Sequence, residues 1–143
     1  MAILENTLID LQCELVAERN KNNPKNISWL QYDILHDLSI EAERLPSEIS
    51  IVLGISRTKL SKALKELKLM GYIIQKPNQK DGRELLTSLT NAGKQLLENL
   101  NLGHQRLSEI AEKVFTDEEK KQFTQLSNKF SNALKVERMG FHE

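Results

Sequence analysis

Apolar residues recur along most of the chain at helical spacing, and polar loops cut the pattern into segments. From Ile3 to Arg19, Leu4, Leu8, Leu11 and Leu15 follow one another at intervals of four and three, which lines one face of a helix. The polar run Asn20 to Asn26, with Pro24 inside it, ends that helix. A second helix is expected from Ser28, fading near Glu41. Ser28 and Gln31 have capping-box spacing, Ile27 can staple against Tyr32, and Leu30, Ile34, Leu35 and Leu38 form the apolar face. Pro46 then suits a first helical position, with Glu48 in the first turn and Ile49, Val52 and Leu53 as a short stripe. Gly54 provides a left-handed stop, and Ser56 caps the next helix two residues later. That helix has Leu60, Leu64, Leu67 and Met70 on its inner stripe and ends at Gly71.

The period then changes. Tyr72 to Lys76 is β-prone, Pro77 to Arg83 is a polar turn containing Asp81-Gly82, and Glu84 to Leu89 can return as a second strand. A short helix, a glycine turn, a capped helix and a hairpin make a winged helix-turn-helix. Beyond it, Thr90 caps a long fifth helix with a stripe through Leu96, Leu97, Leu100, Leu107, Ile110, Ala111 and Val114, interrupted by Gly103. Thr116 and Glu119 form another capping box. They start a final helix with Phe123, Leu126, Phe130 and Leu134 on one face.

The expected fold is therefore mainly α with a small β-hairpin wing. The winged helix-turn-helix module spans residues 28–93. Both chain ends, residues 1–20 and 90–143, form a helical dimerisation region, because their long apolar faces exceed what the small central core can bury. Antiparallel packing against a second copy would cover them.

Composition changes this picture little: 143 residues, 39% apolar and 28% charged, fit a globular helical chain. No apolar run is long enough to cross a bilayer, and the first residues lack the basic and apolar regions of a signal peptide, so cytoplasmic residence is expected. The sequon Asn26-Ile27-Ser28 would then go unused. Cys13 is the only cysteine, which excludes an intramolecular disulfide.

Charge changes the picture more. The net charge is zero, yet residues 56–83 hold eight basic residues against Glu66 and Asp81, a net +6 balanced by −6 elsewhere. So local an asymmetry can create a positive face on a neutral protein. On the second helix of the helix-turn-helix, Ser56, Arg57, Thr58, Lys59, Ser61, Lys62 and Lys65 fall off the apolar stripe. Hydroxyls alternating with long cations suit a reader of the DNA major groove, the cations engaging phosphates or guanine edges. Arg57 and Lys59 also occupy a first turn, where the helix dipole disfavours cations by about 0.3–1 kcal/mol each. A DNA phosphate docked there would supply the missing negative charge. On the hairpin, Lys76, Lys80 and Arg83 surround the turn. Arg83 suits a minor groove, and Asp81 and Gly82 structure the wing, Asp81 by holding Arg83 or a backbone amide.

These residues resemble a known family. Gly54-Ile55-Ser56-Arg57-Thr58-Lys59-Leu60-Ser61-Lys62-Ala63-Leu64-Lys65-Glu66-Leu67, followed by Gly71-Tyr72-Ile73, is similar to the helix-turn-helix of MarR-family (multiple-antibiotic-resistance) regulators. Asp81-Gly82-Arg83 resembles the family's Asp-x-Arg wing motif, and Leu89-Thr90-Asn91-Ala92-Gly93 its Leu-Thr-x-x-Gly exit from the wing. The resemblance covers about Pro46 to Gly93. It implies an obligate homodimer, a palindromic double-stranded DNA operator and often a small-molecule inducer. Leu45 departs from it, since the family often has a hydroxyl N-cap there.

Other chemistries find less support. No glycine-rich phosphate loop or nucleophile motif is present, so an enzyme is not expected, and no cofactor is implied. His36, His104 and His142 have no metal-ligand spacing. His104 reads as a packed or interface residue. Trp29, Tyr32 and His36 can line an effector crevice or simply fill core. Cys13 sits where oxidant-sensing members carry a reactive cysteine, but Asp10 and Glu14 disfavour a thiolate, and a buried structural cysteine is the reading taken. A winged-helix protein-interaction module is the alternative to a DNA-binding one; the outward cations favour DNA.

Overall fold

A computed structural model describes residues 2–80 and 82–140. Among these residues the order is α1 (Ile3–Lys21), α2 (Trp29–Ile40), α3 (Pro46–Leu53), α4 (Arg57–Leu69), β1 (Ile73–Pro77), β2 (Leu85–Leu89), α5 (Asn91–Asn99), α6 (His104–Val114) and α7 (Asp117–Gly140). The expected mainly helical fold with one hairpin is the observed one.

The caps start helices where the sequence places them. Ser28 Oγ accepts from the Gln31 N–H at 3.0 Å, and Gln31 Oε1 accepts from the Ser28 N–H at 2.9 Å, closing the capping box of α2. Gly54 ends α3 with φ +66°, Ser56 caps α4 through the Lys59 N–H, and Gly71 at φ +82° turns the chain into the wing. Thr116 and Glu119 exchange the same reciprocal bonds at the start of α7.

The core belongs to the central module. Ile27, Ile34, Leu35, Leu38, Ile49, Leu60, Ala63, Leu64, Leu67 and Ile73 are buried in one cluster. At about 1.5–3 kcal/mol for each large aliphatic side chain, this cluster is the main favourable term holding α2, α3, α4 and β1 together. Met70 does not join the stripe. It is the C-cap of α4 and is exposed, because the helix ends before another turn could bring its side chain inward.

The wing is fastened to α2 by Arg44. Strands β1 and β2 pair antiparallel with Ile73 opposite Leu89 and Pro77 opposite Leu85. Arg44 adds an isolated bridge to Thr87, with N–H to O distances of 3.0 and 2.8 Å. Its guanidinium meets the buried Asp37 carboxylate at 3.1 and 3.2 Å. The end of α2 is thereby tied to the middle of β2.

The long fifth helix is broken in two. α5 ends at Asn99, and α6 starts after Gly103, which adopts φ +77° as its N-cap. The sequence pattern carries across the break because Leu100 and Leu102 turn inward: Leu100 packs on the core and Leu102 is buried. A Cβ on Gly103 would lie 2.7 Å from the Asn22 side chain, so the break also seats the chain against the end of α1.

The terminal helices contribute little to the core. α1, α6 and α7 contain no buried residue. Leu4, Leu11, Leu15, Ile110, Val114, Phe123, Leu126, Phe130 and Leu134 are exposed. The end of α1 is held by Arg19, which forms a two-pronged contact with Asp33 at 3.0 and 2.8 Å and lies 4.4 Å over the Trp29 ring. Glu18 pairs with Arg106 of α6. The last turns of α7 reach back to α3 and lay Arg138 beside Gly54.

Candidate nucleic-acid interface

Helix α4 divides into three strips. Leu60, Ala63, Leu64 and Leu67 are buried. Arg57, Ser61, Lys65 and Lys68, spaced four, four and three apart, face the wing. Thr58, Lys59 and Lys62 lie further round the helix and are exposed. Opposite the second strip, the wing supplies Gln75, Arg83, Glu84 and Leu85, and between them lies an open crevice of about 500 Å³.

The expected site residues therefore separate into groups. Arg57, Ser61, Lys65 and Arg83 come together in the crevice, although 26 residues separate Arg57 from Arg83. Ser56 serves as the N-cap of α4. Lys76 and Lys80 are exposed on the hairpin outside the crevice. Gly82 lies in the turn, and Lys80 N–H donates to Asn78 Oδ1 at 3.2 Å. Asp81, expected to structure the wing, lies outside the described residues.

The acid within the basic helix is turned away from this face. Glu66 accepts from Gln31 Nε2 of α2 at 3.1 Å. Lys59, Lys62, Lys65 and Lys68 form no ion pair among the described residues. Their charge is left to solvent or to a ligand.

Three polar residues of the crevice went unrecognised from sequence as site residues: Lys68, Gln75 and Glu84. Glu84 matters most. Its carboxylate accepts from the Ser47 N–H at 3.0 Å, the Ser47 hydroxyl at 2.9 Å and Arg57 Nη2 at 3.1 Å. It thus supplies an acceptor at the start of α3, where Leu45 offers no hydroxyl. Glu48 supplies another by accepting from the Leu45 N–H at 2.8 Å. Glu84 also provides negative charge beside the first turn of α4, part of the charge that sequence reasoning assigned to a DNA phosphate. The signal for it was Leu45 itself, a helix start with no capping side chain of its own.

The exit from the wing is equally specific. Thr90 Oγ1 accepts from the Gly93 N–H at 3.1 Å and donates to the Gly71 carbonyl at 2.6 Å. The Thr90 N–H donates to the Tyr72 carbonyl at 3.1 Å. One hydroxyl therefore joins the turn after α4 to the start of α5, bracketing the hairpin between them.

The aromatic residues form a separate group. Tyr32 meets Trp29 edge-on with centroids 5.6 Å apart, stacks on His36 at 5.9 Å and lies 5.6 Å from His104. Burial pushes the Tyr32 phenol above its usual value, and the Asp33 charge acts in the same direction. Tyr32 and His36 line a crevice of about 650 Å³ with Leu97 and Lys94 of α5, and with Ser88 and Leu89 of β2. Trp29 does not line it. It borders a smaller cavity of about 230 Å³ with Arg19, His104 and Leu107. Cys13, expected to be buried, is exposed. It lies on the side of α1 away from the leucine stripe, so the packing expected for it has no partner within the chain.

The fold and this face define a winged helix-turn-helix protein. Residues 25–84 match the sequence model of the MarR family, a stretch that includes the helix-turn-helix and most of the wing. The chain is similar to the uncharacterized HTH-type transcriptional regulator YwaE of Bacillus subtilis. The two are 31% identical over 75 residues, covering 52% of this chain and 44% of that protein. The matched part is thus under half the length of that relative. Wild-type MarR of E. coli in its apo form superposes with a TM-score of 0.72 at 23% identity, covering 91% of this chain and 96% of that one. A mutant MarR of E. coli complexed with operator DNA gives 0.63 at 24% identity, covering 87% and 96%.

Proposed function

We propose that this protein is a sequence-specific transcription regulator, a repressor that acts as a homodimer on a palindromic operator in double-stranded DNA and is released by a small-molecule effector. The observation that carries the DNA reading is the crevice shared by α4 and the wing. There the fold gathers Arg57, Ser61, Lys65, Lys68 and Arg83 from two distant parts of the chain. Helix α4 would read the major groove, and Arg83 the flanking minor groove. Residues 28–93 are the DNA-binding module in this reading. Residues 1–20 and 90–143 are the dimerisation region, supported by the exposed apolar faces of α1, α6 and α7. The crevice of Tyr32, His36 and Leu97 between α2, β2 and α5 is where an effector would act on the relation between the wing and the helices. No helix among the described residues is long and apolar enough to cross a membrane.

The test is a binding titration on a duplex selected by the protein from a random pool and on a scrambled control, at several salt concentrations. Affinity should fall steeply with salt. Lys65→Ala should weaken both duplexes about equally and make the salt slope shallower by about one. Arg83→Ala should relax preference mainly at the flanks. Failure to enrich any duplex would end the DNA reading and favour a protein-interaction module.

A further inference from the structure

We propose that Glu84 is a specificity-determining residue of the DNA face: it occupies the charge of Arg57 so that Arg57 recognises a base edge rather than a phosphate. This inference rests on the DNA-binding reading above and adds the role of a residue outside its cationic set.

Glu84 stands at the base of the wing with 18% of its side chain exposed, while Arg57 is 60% exposed. Both line the crevice between α4 and β2. The carboxylate is held on two sides before it reaches Arg57. Its Oε1 accepts from the Ser47 N–H and its Oε2 from the Ser47 hydroxyl, so Glu84 cannot swing away without breaking both bonds at the start of α3. Its contact with Arg57 is single, from Nη2 to Oε1 at 3.1 Å. The remaining N–H groups of the guanidinium are left for a ligand.

The consequence is a choice between ligands. A phosphate brings a negative charge to a guanidinium that already has a carboxylate partner, and the two anions repel each other across the crevice. A guanine edge offers the acceptors N7 and O6 without net charge, so Glu84 does not repel it. Arg57 is thereby disfavoured as a phosphate anchor and favoured as a base reader. Lys59, Lys62, Lys65 and Lys68, which have no carboxylate partner among the described residues, keep the phosphates. Glu84 also ties the wing to both helices of the helix-turn-helix, so Arg57 and Arg83 are presented in a fixed relation.

The experiment compares wild type, Glu84→Gln, Arg57→Lys, Arg57→Ala and the Glu84→Gln/Arg57→Ala double variant on the selected and scrambled duplexes across a salt series, with thermal melts alongside. Glutamine keeps a carbonyl acceptor for Ser47 and removes the charge. Glu84→Gln should bind scrambled DNA more tightly, with a salt slope steeper by about 0.9, the signature of one added phosphate contact. Its selected-to-scrambled affinity ratio should fall about tenfold, as for a lost base contact. In the Arg57→Ala background the same change should alter neither quantity. Arg57→Lys leaves the Glu84–Ser47 contacts in place. It should lower the ratio without raising affinity for scrambled DNA, which keeps the test decisive even if Glu84→Gln folds poorly. An unchanged ratio in Arg57→Lys overturns the proposal. So does a Glu84→Gln variant that melts lower and weakens both duplexes alike with the slope unchanged, since Glu84 would then act only on the fold. A wild type that enriches no duplex overturns the DNA reading and this proposal with it, an outcome distinct from wild-type binding with variants that discriminate normally.

Discussion

Gly93 lies directly against the backbone carbonyl of Tyr72: a Cβ built on Gly93 would stand 2.3 Å from that oxygen. The contact brings the first turn of α5 onto the chain entering β1, where the Thr90 N–H already bonds the same carbonyl. The Leu-Thr-x-x-Gly spacing therefore has a physical cause. Threonine caps the helix, and glycine three residues later gives the strand room to pass. Gly93→Ala should destabilise the protein by about 1–3 kcal/mol, the range for overpacking a tight contact, because the obstacle is backbone and cannot rotate aside. Urea denaturation measures it. A change within a few tenths of a kcal/mol would mean that α5 shifts freely on the wing.

Association is the second expectation. The exposed faces of α1, α6 and α7 include Leu126, 65% exposed, and Phe130, 47% exposed. Apolar area of this extent is unusual for a monomer. Light scattering at micromolar concentration should give twice the chain mass. Leu126→Glu or Phe130→Asp should shift it towards one chain mass, with little loss of helix by circular dichroism. A wild-type monomer would refute the dimer.

The thiol provides a third. Cys13 is exposed and lies opposite Leu4, Leu8, Leu11 and Leu15 on α1, so packing of the leucine stripe against a second copy leaves it accessible. A thiol reagent should label the native protein at one site per chain without prior unfolding. Cys13→Ser should leave DNA binding unchanged. If mild peroxide releases DNA from wild type but not from the serine variant, Cys13 has a sensing role.

The fourth concerns alkaline pH. The Tyr32 phenol is raised in the fold above its ordinary 10.0, first by burial and then by the charge of Asp33. The unfolded chain then loses this proton at lower pH than the folded one does. The contribution is constant below about pH 10 and is lost as pH rises through the gap between the two values. Arg19, raised mainly by its hydrogen bond to Asp33, acts in the same direction at still higher pH. The urea midpoint of wild type should therefore fall more between about pH 8 and pH 11 than that of Tyr32→Phe. Equal falls would show that the phenol ionises alike in both states.

The sequence by itself determined the local elements, because their causes lie within a few residues. Ser28 and Gln31, Gly54 and Ser56, and Thr116 and Glu119 cap or stop helices through bonds to neighbours that any reader of the chain can see. The four- and three-residue spacing in α4 likewise separates its buried leucines from its cations without reference to another element. Tertiary structure decided whatever depends on distant partners. The stripe after Thr90 reads as one helix, but burial of Leu102 and the fit of Gly103 against Asn22 divide it. Met70 and Cys13 look packable in sequence but stay exposed in the folded chain. Glu84 reads as a strand residue beside a turn. Only the folded chain brings it to Ser47 and Arg57, 37 and 27 residues away, because its role depends on where three elements meet rather than on any local pattern.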